Sequence, residues 1–118
     1  MSKTATIANE RLVRTGSLCV DAPPDLAFML FTGPGEVLWI DGWEPTVLGG
    51  DGLSRGTVFA TDAGEETLWI VVDFDRHARH ARYARFAPGS RAGTVEVRVE
   101  PSDKGGSIAY VTYELTAL

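Results

Sequence analysis

The clearest hydrophobic pattern lies near the end of the chain. Thr94-Val95-Glu96-Val97-Arg98-Val99-Glu100 alternates without error, which on a strand puts three valines on one face and only polar groups on the other. After a turn at 101–106, the stretch from Ser107 to Leu118 repeats the arrangement. Ala109, Val111, Tyr113, Leu115 and Ala117 share one face, and Tyr110, Thr112, Glu114 and Thr116 the other. Further strands are predicted at Arg11 to Val20, Glu44 to Leu48, Thr57 to Thr61, Glu66 to Asp75 and His80 to Ala87. Between them stand turn formers such as Gly49-Gly50-Asp51-Gly52, Asp62-Ala63-Gly64 and Pro88-Gly89. Only residues 23–40 read as helical. Asp21 or Ala22 is expected at the N-cap, ahead of prolines tolerated in a first turn. Leu26, Met29 and Leu30 then form an apolar stripe at i, i+3 and i+4. Thr32-Gly33-Pro34-Gly35 is expected to stop this helix, and Glu36 to Trp39 adds one more turn.

One strand, one or two short helices and about six hairpin-linked strands make an α+β domain over residues 11–118, after a polar lead-in at 1–10. Within that order the chain resembles the START-like helix-grip superfamily, also called SRPBCC or polyketide cyclase/dehydrase-like. The resemblance is carried by Val20-Asp21-Ala22-Pro23-Pro24-Asp25-Leu26-Ala27-Phe28 and Trp39-Ile40-Asp41-Gly42-Trp43. Trp69-Ile70-Val71-Val72-Asp73-Phe74-Asp75 and Val111-Thr112-Tyr113-Glu114-Leu115 add to it. It implies a curved antiparallel sheet that holds a small apolar or amphipathic ligand. Two other activities belong to the same resemblance: a cyclase or dehydratase acting on a polyketide-like substrate, and a protein-interaction module like the activator of the heat-shock chaperone ATPase. It also implies a long C-terminal helix across the concave face. That helix is absent from a sequence ending in strand at Leu118, so a following segment or a second copy is expected to cover the apolar face.

Composition narrows the classes. With 118 residues, 44% hydrophobic and 23% charged, the chain is long enough for one core. Cys19 is the only cysteine, which excludes an internal disulfide, fits a reducing cytoplasm, and reads as a small core residue. No apolar run approaches the length of a membrane span. The net charge of −5 opposes a nucleic-acid partner.

The local exception is Arg76-His77-Ala78-Arg79-His80-Ala81-Arg82-Tyr83-Ala84-Arg85. On a helix its arginines would form a basic stripe, but on the hairpin expected here they fall on both faces. Arg82 or Arg85 is then left to meet an anionic group of a ligand. His77 and His80 fall on opposite faces of a strand and do not converge on a metal; neither a metal nor a cofactor is expected. Gly50 to Gly56 lacks the dinucleotide-loop spacing and opens no helix. For acid–base work the residues of suitable chemistry are His80, Tyr83, Glu96, Tyr110 and Tyr113. The expected ligand-binding set is Trp39, Trp43, Arg82, Tyr83, Val97 and Tyr113. Trp39 and Trp43 suit core and pocket mouth equally, offering apolar walls and N–H donors, whereas Trp69 reads as core. Because the arginines of 76–85 do not align, no retardation of DNA or RNA in a gel-shift assay is expected at about 150 mM salt.

Overall fold

Strand pairing follows hairpin order from the second strand to the last, and the first strand then joins the seventh. The computed structural model describes residues 10–118, so that residues 1–9 of the expected lead-in lie outside the described residues. The strands are β1 (Arg11–Val20), β2 (Thr46–Gly49), β3 (Val58–Thr61), β4 (Thr67–Asp75), β5 (His80–Ala87), β6 (Arg91–Pro101) and β7 (Ser107–Ala117). They form one curved antiparallel sheet in the order β1-β7-β6-β5-β4-β3-β2. Two short helices, α1 (Pro24–Met29) and α2 (Gly33–Glu36), interrupt the chain between β1 and β2.

The alternation of the last strands sets the faces as expected. Val95 lies opposite Tyr113, Val97 opposite Val111 and Val99 opposite Ala109, and the three valines are buried while Glu96 and Arg98 are exposed. Across β5, Ala81, Tyr83 and Arg85 continue the same face, paired with Val97, Val95 and Gly93. Strand β4 keeps to this face by a bulge. Val71 opposes Tyr83 and Asp73 opposes Arg82, leaving Val72 as the extra residue. Strict alternation would group Val71 with Asp73 and Asp75. The bulge instead turns Val71 and Phe74 inward and both aspartates outward.

Phe74 is the platform for α1. The Phe28 ring is 1% exposed and stacks on Phe74 with centroids 5.5 Å apart. The buried face of the helix is therefore Ala27 and Phe28, followed by Phe31. This corrects the expected Leu26, Met29, Leu30 stripe, because Leu26 points to solvent. A six-residue helix has too few turns for periodicity to set its rotation; here the contact with Phe74 does. The N-cap is Pro23, with no side-chain hydrogen bond, in place of Asp21 or Ala22. Thr32 does more than end α1: its hydroxyl donates to Met29 O at 2.6 Å and accepts from Gly35 N at 3.1 Å, capping α2.

The valines of β6 thus find cover within the chain itself, and a second copy is not needed to bury them. The β1 side of the face stays open, with Leu12, Leu18 and Tyr113 exposed. No long C-terminal helix occurs among the described residues. Cys19 is exposed rather than in the core, since its odd position on edge strand β1 turns it to the convex side. Phe28→Ala is expected to cost about 3–5 kcal/mol of stability, read from the urea unfolding midpoint.

Candidate functional site

The segment from Phe31 to Trp43 crosses above the dry face of the sheet, held by hydrogen bonds that use up its aromatic donors. Trp39 Nε1 donates to Leu30 O at 2.6 Å, and Trp43 Nε1 to Gly33 O at 2.7 Å. From the sheet side, the Tyr83 hydroxyl donates to Phe31 O at 3.2 Å, and Trp69 Nε1 donates to the Thr61 hydroxyl at 3.0 Å. Gly33 lies directly over the Phe59 ring, where an added Cβ would sit only 3.1 Å from it. All three indole N–H groups are committed inside the protein. The tryptophans therefore offer a ligand their faces and not the donors expected of them.

Beneath this segment lies a cleft of about 570 Å³. Val95, Val97, Val111 and Tyr113 form its floor, Arg14, Gly16 and Leu18 of β1 one rim, and Trp39, Ile40 and Trp43 the other. Its far end is an aromatic cluster. Trp69 stacks parallel to Phe59 at 5.9 Å, and Trp43 meets them edge-on at 5.6 and 6.2 Å. Arg85 lies over the Trp69 ring, 5.1 Å from its centre.

Few polar groups interrupt this lining. Glu36, at the end of α2, is the one carboxyl among the lining residues. It has no hydrogen-bond or ion-pair partner among the described residues, and burial raises its pKa from 4.5 to about 7. Burial, and next the charge of Glu36, push the Tyr83 hydroxyl well above the usual phenol range. The same two causes raise Tyr113, and the positive charge of Arg85 pulls it back. Tyr113 thus feels the acid and the guanidinium together. Arg85 is already paired: its side chain is 10% exposed and donates to Glu65 at 3.2 Å, as Arg91 also does. Its Nε is buried without a partner among the described residues.

Of the expected ligand-binding set, Trp39, Trp43, Tyr83, Val97 and Tyr113 all line this cleft. Arg82 does not. It pairs with Asp73 and Glu96 on the opposite face and is exposed, whereas Arg85, an odd number of positions along, points inward. Three of the acid–base candidates are displaced for the same reason. His80 lies on the convex face, its ring 3.0 Å from Glu96 and 3.8 Å from Asp73. Tyr110 lies there too, beneath the Arg98 guanidinium. In the glycine-rich loop after β2, the Asp51 carboxylate accepts from Leu53 N, Ser54 N and the Thr57 hydroxyl, so those backbone donors are taken. Trp69, read as core, both packs and lines the cleft. Glu36 had been read only as part of a helical turn; a lone acid near tryptophans was the available signal.

No family model matches this chain, and no curated protein matches it. Solved structures do share its fold. Ara h 8.0201 superposes with a TM-score of 0.73 at 18% identity, over 92% of this chain and 78% of that one. Norcoclaurine synthase from Thalictrum flavum, in complex with dopamine and hydroxybenzaldehyde, gives 0.70 at 18% identity, over 99% and 78%. The major latex-like protein 151 of Panax ginseng gives 0.73 at 13% identity, over 92% and 80%. These are Bet v 1-like members of the START/SRPBCC superfamily, and the likeness is one of fold.

The raised pKa of Glu36 makes a stability prediction. In the unfolded chain this carboxyl ionises near its ordinary 4.5, and in the folded chain only near 7. Below about pH 4.5 both states hold the proton and the group is neutral to stability. Between the two values the unfolded state gains by ionising, so the folded state loses stability as pH rises and levels off above about 7. Glu36→Gln cannot ionise. Its stability relative to the parent is expected to rise by about 1–3 kcal/mol from pH 4.5 to pH 8, discounted for the water the side chain still meets. Urea midpoints of both proteins across that range check it.

Proposed function

We propose that this helix-grip domain binds a small amphipathic molecule, its apolar body on the valine floor and its polar end beside Glu36 and Tyr113. The observation carrying this reading is the cleft itself. Its volume of about 570 Å³ falls in the ordinary range for small-molecule sites, roughly 300–1,000 Å³, and an apolar lining broken by a few convergent polar groups is typical of such sites. The Thalictrum flavum enzyme of the same fold, with dopamine and hydroxybenzaldehyde bound, supports small aromatic molecules as occupants. The reading places the domain in the cytoplasm, where the exposed Cys19 stays a thiol. The open β1 side leaves room for a second copy.

One observation favours a second reading, acid–base catalysis. A carboxyl ionising near 7 can both take and return a proton at neutral pH. The Tyr113 hydroxyl, influenced by both Glu36 and Arg85, could donate to a carbonyl oxygen as it gains charge. A cyclase- or dehydratase-type proton transfer would use these groups, not His80 or Glu96.

The binding reading is tested with N-phenyl-1-naphthylamine, a neutral aromatic probe. One molecule is expected to bind per chain and quench tryptophan fluorescence. Trp43→Ala is expected to weaken it about tenfold, the effect of losing one aromatic wall, with the circular dichroism spectrum retained. Unchanged affinity in both Trp43→Ala and Trp39→Ala would assign these rings to packing alone.

A further inference from the structure

We infer that the polar end of the ligand is a cation, an ammonium group held by the Glu36 carboxylate against the electron-rich faces of Trp39 and Trp43. This rests on the cleft being a ligand site and goes further by naming the chemistry of the ligand's head.

The walls have few donors left to give. Trp39, Trp43 and Trp69 have spent their N–H donors on Leu30, Gly33 and Thr61, and Tyr83 has spent its hydroxyl proton on Phe31. What Trp39, Trp43 and Tyr83 still present toward the cleft is π-faces and lone pairs, surfaces that attract positive charge, while Trp69 already carries Arg85 over its ring. Glu36 stands among them as an acid with no counter-ion among the described residues. A buried charge without a partner is costly, and a bound cation supplies that partner. The other charged groups lining the cleft are Arg14 and Arg85, and its other titratable groups are Tyr83 and Tyr113. Arg85 is tied to Glu65, which it shares with Arg91, and lies over the Trp69 ring. Arg14 lies on the exposed edge strand, donating to the backbone oxygen of Val13 at 3.1 Å. Neither phenol is charged near neutrality, since both are raised. Among the described residues no cation of the protein pairs with Glu36.

Binding of a permanent cation must then be linked to a proton. With Glu36 ionising at about 7 when the cleft is empty, the cation draws the carboxyl into its charged form and releases the proton. Affinity rises with pH up to about that value and flattens above it.

Three probes of equal chain length separate the possibilities: decyltrimethylammonium, decanol and decanoate, titrated by tryptophan fluorescence and calorimetry at pH 6, 7 and 8. Decyltrimethylammonium is expected to bind at least about tenfold tighter than either partner at pH 8. Its affinity should rise about tenfold from pH 6 to pH 8, with proton release in calorimetry, while decanol stays flat. Glu36→Gln should abolish both the pH dependence and the preference for the cation over decanol. If that variant fails to fold, the contrast between cation and decanol in the parent still decides. Equal binding of decanol and cation, or a cation affinity unmoved by Glu36→Gln, overturns the inference and leaves the cleft as a binding site. Tightest binding of decanoate overturns it in favour of Arg14 and Arg85. Binding of none of the three removes the ligand reading itself.

Discussion

Almost everything above the sheet depends on one stacked pair, Phe28 on Phe74. Phe74 faces the helix only because β4 carries one extra residue at Val72. That bulge brings two inward apolar side chains, Val71 and Phe74, to bear where alternation would have supplied one and an aspartate. With Phe28 seated, α1 ends over the centre of the sheet, and the chain from Phe31 onward must cross the remaining dry surface. Its crossing height is then set by short polar ties, Tyr83 to Phe31 from below and Trp43 to Gly33 within the segment. The space left between is the cleft.

The same economy of donors explains the character of that space. Each indole that holds the segment in place, Trp39 and Trp43, loses its N–H to the backbone, as a buried polar group must find a partner. Stability and recognition are therefore not independent here. The bonds that fix the roof also take the indole donors of Trp39 and Trp43 out of the lining, while the Glu36 carboxyl has no partner among the described residues. The raised pKa of that carboxyl follows from how the roof is held.

The sequence made the sheet legible because its strongest signal, period-two alternation, is local and repeats over β6 and β7. Two faces, seven strands and the opposite directions of Arg82 and Arg85 could all be read from it. The helical segment was less legible. Leu26, Met29 and Leu30 have helical spacing, yet the rotation of α1 is decided by a ring forty-six positions away, Phe74. No local pattern marks a bulge at Val72 in a run of six apolar and acidic residues. Glu36 was hidden for the same reason: whether an acid at a helix end meets water or tryptophan depends on where the next turn lies over the sheet. Five of the six expected ligand-binding residues line the cleft, Tyr83, Val97 and Tyr113 by strand parity and Trp39 and Trp43 as apolar walls; Arg82 has the opposite parity.

The pairing of the first strand with the last has a consequence for the order of assembly. Strands β2 to β7 join neighbour to neighbour through short hairpins, whereas β1 meets β7 only after the whole intervening chain has been closed. Such contacts gain nothing until their loop entropy has been overcome, so they form late on the path to the native state. Strand β1 also lies at an edge with its side chains largely in water, so it is held chiefly by its backbone ladder to β7. Arg14, Gly16 and Leu18 on this strand complete the cleft's rim. The rim is thus the last part of the molecule to be built.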